Sequence, residues 1–125
     1  MAPTRGDEVA AAVQGAEWHL QFGTSDAARD WPGLTASFAG PCRAAWERMR
    51  HHPLERSAGQ KPLAGALAER TVGGRDLPQW QIDISAGGRA RFCVDEQAHR
   101  VWLVQASAGH PGATLAKGKR SSTNR

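Results

Sequence analysis

Two arginines and one histidine in the last third of the sequence are of the types that bind and cleave phosphodiesters. Arg89 and Arg91 are two positions apart, so a strand would place both on one face. A guanidinium donates two parallel hydrogen bonds to a phosphate, and the imidazole of His110 can transfer a proton near neutral pH. Because the 2′-OH of RNA is its own nucleophile, this set predicts metal-free RNA cleavage. The alternatives are a solvated sheet face for the arginines and a structural turn for His110.

The end of the chain carries only positive charge. The formal net charge is +4, and no acidic residue follows Glu96. The basic residues that follow are Arg100, Lys117, Lys119, Arg120 and Arg125. Such asymmetry predicts a polyanionic partner, most often nucleic acid, or an acidic protein. A solvated tail that aids solubility explains the charge equally well. In the nucleic-acid interpretation, Lys117, Lys119 and Arg120 bind the RNA backbone.

Other chemistry finds little support in the sequence. Cys42 and Cys93 lack zinc-ligand spacing, which favours two buried thiols in a reducing cytoplasm. His51 and His52 are adjacent and point apart on a helix. There is no nucleotide-binding or hydrolase motif. We therefore expect neither a metal nor another cofactor. We also expect a cytoplasmic protein without membrane contact, because no run of 18 apolar residues and no secretory signal occurs.

Hydrophobic periodicity predicts a strand and two helices before residue 53. Residues 17–22 alternate, with Trp18, Leu20 and Phe22 on one face. A helix starts after Thr24 and breaks near Pro32, because proline removes a backbone hydrogen bond. A second helix starts at residues 40–41 and ends at residues 51–53, and a polar loop covers residues 53–62.

The second half of the chain is predicted to be strands joined by glycine turns. Short strands cover residues 70–72, 80–84, 89–94 and 100–106. One core is expected from Trp80, Ile82, Ile84, Ala90, Phe92, Val94, Val101 and Leu103. The fold class is therefore α+β, with an N-terminal strand, a two-helix hairpin and an antiparallel meander. Residues 1–16 are interpreted as a flexible extension, 17–114 as the domain and 115–125 as a basic flexible tail.

An ordered set of segments resembles the RelE/ParE toxin superfamily. The segment "LPQWQIDISAGGRARFCVDEQAHRVWLVQASAGHPGAT", residues 77–114, is similar to the C-terminal half of that fold. "AARDW" and "AAWERMRHHP" resemble its helix hairpin, and "PLAGALAERTVGGRDLPQW" resembles the segment that enters the sheet. The chain has no tyrosine, which many RelE-like toxins use near the C-terminus, and Gly112 stands where lysine is common.

The resemblance implies the toxin of a type II toxin–antitoxin pair, with a cognate antitoxin as partner. RelE-like members enter the ribosome and cleave mRNA without a metal. In that case Arg89 matches the basic residue that contacts the scissile phosphate, Arg91 supports it, and His110 occupies a catalytic position. Two alternatives remain open. One is a ParE-like toxin that inhibits gyrase without chemistry of its own, and the other is a non-toxic, degenerate member that binds an acidic partner.

Overall fold

The protein is an α+β domain in which two helices pack on one face of a β-sheet. The computed structural model describes residues 5–6, 17–85 and 87–109. The elements are β1 (His19–Phe22), α1 (Ser25–Ser37), α2 (Ala39–His51), β2 (Gln60–Pro62), β3 (Glu69–Val72), β4 (Arg75–Asp83), β5 (Arg89–Asp95) and β6 (Arg100–Ser107). A 3-10 turn, Gly65–Leu67, separates β2 from β3. Among the described residues, no helix is both long and apolar enough to cross a membrane.

The sheet has the strand order β1-β6-β5-β4-β2, and β3 also pairs with β4. The strands β4, β5 and β6 form the predicted antiparallel meander. In contrast, β1 pairs in parallel with β6, His19 lying opposite Arg100. The sheet is therefore mixed. Strand β6 lies between β1 and β5, and its apolar run has buried residues on both faces: Val101 and Leu103 pack toward the helices, and Val104 packs on the opposite face.

Helix α1 is continuous, so the predicted break near Pro32 is wrong. The hydroxyl of Thr24 accepts a hydrogen bond from the Ala27 amide at 3.0 Å and caps the helix. Ala27 and Leu34 are buried on either side of the proline. Burial of this face on the sheet holds the helix together although Pro32 itself donates no backbone hydrogen bond. In α2, Pro41 lies in the first turn, where the backbone N–H that proline lacks would have no helical acceptor.

A short strand, β2, lies in the segment predicted to be a polar loop. Gln60 begins it, pairs with Ile82 and is completely buried. The Gln60 amide donates to the carbonyls of His52 at 2.8 Å and Glu55 at 3.0 Å, and accepts from Arg48 Nε at 3.0 Å. Three residues ending in proline show no alternation, so periodicity misses this strand.

The core between the helices and the sheet contains the predicted residues. Seven of the eight belong to one buried cluster and Ile84 packs partly buried against it, which confirms the strand phases. From the helices, Ala27, Ala45 and Met49 complete the cluster. The small side chains of Ala27 and Ala45 let the helices approach the sheet closely, and the strands supply most of the side-chain volume of the core.

Candidate nucleic-acid interface

Strand β5 presents a different chemistry on each of its faces. Ala90, Phe92 and Val94 point to the helices and are buried. Arg89 and Arg91 alternate with them and lie on the opposite face. Arg89 is exposed and Arg91 is half-buried. We call the sheet face opposite the helices the open face.

Neighbouring strands surround the two arginines with polar side chains. Arg89 lies between Asp83 of β4 and Ser107 of β6. One row further, Arg91 lies between Gln81 and Gln105, and its Nε donates to Gln81 Oε1 at 3.2 Å. We call these six residues the polar patch: Gln81, Asp83, Arg89, Arg91, Gln105 and Ser107.

A bulge in β6 brings Gln105 to this patch. The register opposes Phe92 to Leu103 and Arg91 to Gln105, which leaves Val104 as an extra residue. Val104 packs on the open face, and Ala106 is buried toward the helices. The Thr24 hydroxyl donates to the Val104 carbonyl at 2.8 Å, so the start of α1 is tied to the bulge.

The other end of the open face is covered by the β3–β4 hairpin. Its turn, Gly73-Gly74, has φ values of 61° and 81°, as a tight two-residue hairpin turn requires. Val72 and Leu77 of the hairpin pack against Cys93 and Val104. The hairpin thus covers one end of the open face and leaves the polar patch accessible.

The arginines of the helices form ion pairs, and the arginines of the polar patch do not form them with any described residue. Every arginine in α1 and α2 lies within 3.5 Å of a carboxylate: Arg29 with Asp26 and Asp30, Arg43 with Glu47, Arg48 with Glu55 and Arg50 with Glu17. Among the described residues, Arg89 and Arg91 form no ion pair. Asp83 lies opposite Arg89 in register, yet makes no ion pair with it either. Their positive charge is therefore available to an external anion.

Arg89 also lines an open cavity at the β4–β5 turn. The cavity has a volume of about 250 Å³, and its other lining residues are Asp83, Ile84, Ser85, Gly87 and Gly88. Gly109, with φ 76°, packs against this turn, because a Cβ there would lie 2.4 Å from the Gly87 oxygen. The end of β6 is thereby held against the turn that leads into Arg89.

Four predicted site residues lie outside the described part of the chain: His110, Lys117, Lys119 and Arg120. The N-terminal extension and the tail are outside it as well, apart from residues 5–6. Across residues 17–85 and 87–109, no group of three or more His, Cys, Asp or Glu side chains could hold a metal ion.

Sequence reasoning missed the polar partners of the arginines. Gln81 alternates with Trp80 and Ile82, so the β4 pattern predicts that it lies on the face opposite the core. The pattern does not show that Gln81 pairs with Arg91. Gln105 gave no such signal. Strict alternation from Val101 and Leu103 would have placed it toward the helices, and only the bulge reverses this.

Comparison with known proteins yields a structural likeness to a toxin–antitoxin complex. The solved structure of the RelBE2 toxin–antitoxin complex from Mycobacterium tuberculosis contains a chain with 19% sequence identity and a TM-score of 0.45. The alignment covers 75% of this chain and 93% of that chain. No protein-family model and no curated protein matches the sequence. A likeness of this size assigns neither a family nor an activity.

Proposed function

We propose that this chain is a RelE-like toxin of a type II toxin–antitoxin pair that cleaves ribosome-bound mRNA without a metal. The observation that carries the proposal is that Arg89 and Arg91, on the open face, form no ion pair with any described residue. A guanidinium without a carboxylate partner can donate its hydrogen bonds to a phosphate. The α+β order of elements agrees with what the sequence resemblance implies.

In the proposed reaction, the RNA supplies the nucleophile and the protein supplies charge and a proton carrier. The 2′-oxygen attacks the adjacent phosphorus while its proton passes to a base, and the 5′-oxygen leaves and takes up a proton. A cyclic 2′,3′-phosphate and a 5′-hydroxyl result. Arg89 stabilises the charge that develops on the phosphorane, and Arg91 supports it from the next row. His110 acts as the general acid or base.

The position of His110 in the chain suits this role. It directly follows Gly109, and one Cα step spans about 3.8 Å. Gly109 packs against the turn that leads into Arg89. A position next to a packed strand end is a favourable place for a catalytic group.

The proposed partners follow from the same charge. The ribosome and mRNA are the polyanions that the patch and the basic residues Lys117, Lys119 and Arg120 would contact. The cognate antitoxin would be a small acidic protein whose negative charge is complementary to the same surface.

The experiment induces the chain in cells and follows mRNA 5′ ends together with DNA supercoiling. We expect cuts in phase with codons and normal supercoiling. Arg89→Ala should reduce cutting by about 10²–10³-fold, and His110→Ala by about 10²–10⁴-fold. Arg29→Ala is the matched control, because Arg29 is exposed on α1 and paired with Asp30 at 3.0 Å.

Two results would contradict the proposal and identify its rivals. Gyrase-linked DNA damage with intact mRNA would indicate a gyrase inhibitor on the same fold. Normal growth with neither mRNA cuts nor DNA damage would indicate a non-toxic member that binds an acidic partner.

A further inference from the structure

The two rows of the polar patch differ in chemistry: the row of Arg89 has a carboxylate and a hydroxyl beside its guanidinium, and the row of Arg91 has two amides. Gln81, Arg91 and Gln105 lie side by side on β4, β5 and β6, and all three are half-buried. The side-chain oxygen of Gln81 accepts a hydrogen bond from Arg91 Nε at 3.2 Å. The side chain of Gln105 makes no hydrogen bond to any described residue. The amide of Gln105 can therefore use both its N–H donors and its carbonyl acceptor to bind an external group.

A glutamine amide suits a nucleobase better than a phosphate. Phosphate oxygens only accept hydrogen bonds, so they cannot use the carbonyl oxygen of Gln105. A base edge presents donors and acceptors side by side and can pair with both ends of an amide. The rows of Arg89 and Arg91 are two residues apart along β5, which is about 6.5–7 Å. A phosphate at Arg89 and a base at Gln105 are therefore neighbouring positions on the sheet.

We propose that Gln105 contacts the edge of an unpaired base next to the phosphate at Arg89, and so sets the base preference of the site. The inference rests on the proposed RNA-binding function and names its substrate class as single-stranded RNA. Base edges are accessible to a flat sheet face only when the strand is unpaired. Arg91, which donates a hydrogen bond to Gln81, contributes positive charge that attracts RNA of any sequence. Gln105 instead discriminates between bases.

The test measures binding of the full chain to the hexanucleotides A6, C6 and U6 over a range of salt concentrations. We expect the parent affinities to differ by at least about fivefold between the best and the worst, the lower end for one base-edge contact. Gln105→Met should reduce this ratio to below about twofold and leave the salt dependence unchanged. Gln105→Glu, an acceptor without donors, should shift preference from U6 toward A6 and C6, which carry amino groups.

Two control variants separate discrimination from general binding and from folding. Gln97→Met, beyond the opposite end of β5, should keep the parent ratio, because Gln97 contacts Arg75 at 3.2 Å and lies away from the patch. Arg89→Ala should weaken binding to all three hexamers equally and lower the salt slope by about 0.7, the value for one phosphate contact on a single strand. A reordered preference in Gln105→Glu cannot result from misfolding.

The outcomes distinguish this inference from the function on which it rests. Absence of codon-phased mRNA cuts in cells removes the proposed function and the inference with it, whereas a parent chain that binds none of the hexamers overturns the inference alone. A parent that binds RNA without any preference, or a Gln105→Met chain that keeps the parent ratio, overturns the inference alone.

Discussion

Cys93 shows how sharply the chemistry of the open face changes over two residues of one strand. Arg91 faces the polar patch, whereas Cys93 lies under the β3–β4 hairpin against Val72 and Leu77. Burial raises the pKa of the Cys93 thiol to about 11, although the charge of Arg70 opposes the shift. The thiol is therefore neutral at physiological pH and takes no part in nucleophilic chemistry.

We predict that Cys93 resists thiol reagents in the folded chain. In a Cys42→Ala background, labelling at pH 8 should be slow and should become complete on unfolding. The unfolded thiol titrates near 9.0, so the unfolded state loses its proton first as the pH rises. The stability contributed by the neutral thiol is thus present below pH 9 and lost between about pH 9 and 11.

The alkaline loss is measured as the free energy of unfolding at several pH values. A Cys93→Val chain lacks the thiol and serves as the reference, so only the difference between the two chains reports Cys93. Rapid, stoichiometric labelling of the native chain would show that the hairpin does not cover this residue.

At the scale of the element, β5 joins the core to the candidate site. Phe92 is completely buried and stacks with Trp80 at a ring distance of 6.3 Å. Its neighbours Arg89 and Arg91 point the other way. The packing of Phe92 thus fixes the direction in which the arginines leave the sheet, and core stability and site geometry depend on the same strand.

Phe92→Ala should cost about 3–5 kcal/mol of unfolding free energy, because a buried ring leaves a cavity that the core cannot fill. The matched control is Phe22→Ala on β1, whose side chain is 47% exposed. Its expected cost is about 1 kcal/mol or less, since little apolar surface returns to water. Both values come from denaturant titration. Equal losses in the two variants would mean that the β5 core phase is wrong.

At the scale of the whole molecule, positive charge is balanced on the helices and unbalanced on the open face. The arginines of α1 and α2 all have carboxylate partners, whereas Arg89 and Arg91 have none among the described residues. The residues after Glu96 add cations without acids. A polyanion would therefore approach the sheet side of the domain rather than the helices.

Removal of residues 115–125 should weaken RNA binding and flatten its salt dependence. The segment carries Lys117, Lys119, Arg120 and Arg125. Each phosphate contact on a single strand contributes about 0.7 to the slope of log affinity against log salt, so up to about 3 should be lost. Cleavage at saturating protein should persist, because Arg89 and His110 remain. An unchanged slope would show that the tail does not contact the RNA.

The sequence by itself determined the features that depend on local pattern. Period-two alternation and glycine turns predicted the strands around Trp80, Phe92 and Leu103 together with their buried faces, because a strand exposes alternate residues to opposite sides. The same rule placed Arg89 and Arg91 on one face. Local propensity misjudged Pro32, since burial of Ala27 and Leu34 against the sheet outweighs the hydrogen bond that a proline removes.

Only the tertiary structure decided which side chains surround the arginines and which charges remain free. The bulge at Val104 turns Gln105 to the open face, and Thr24, which contacts Val104, is 80 residues away in the chain. The parallel pairing of β1 with β6 and the cover over Cys93 likewise join segments distant in sequence. Periodicity reports only the environment of a residue along its own strand. Register, bulges and ion pairs arise from contacts between strands and helices, and these form only when the chain packs.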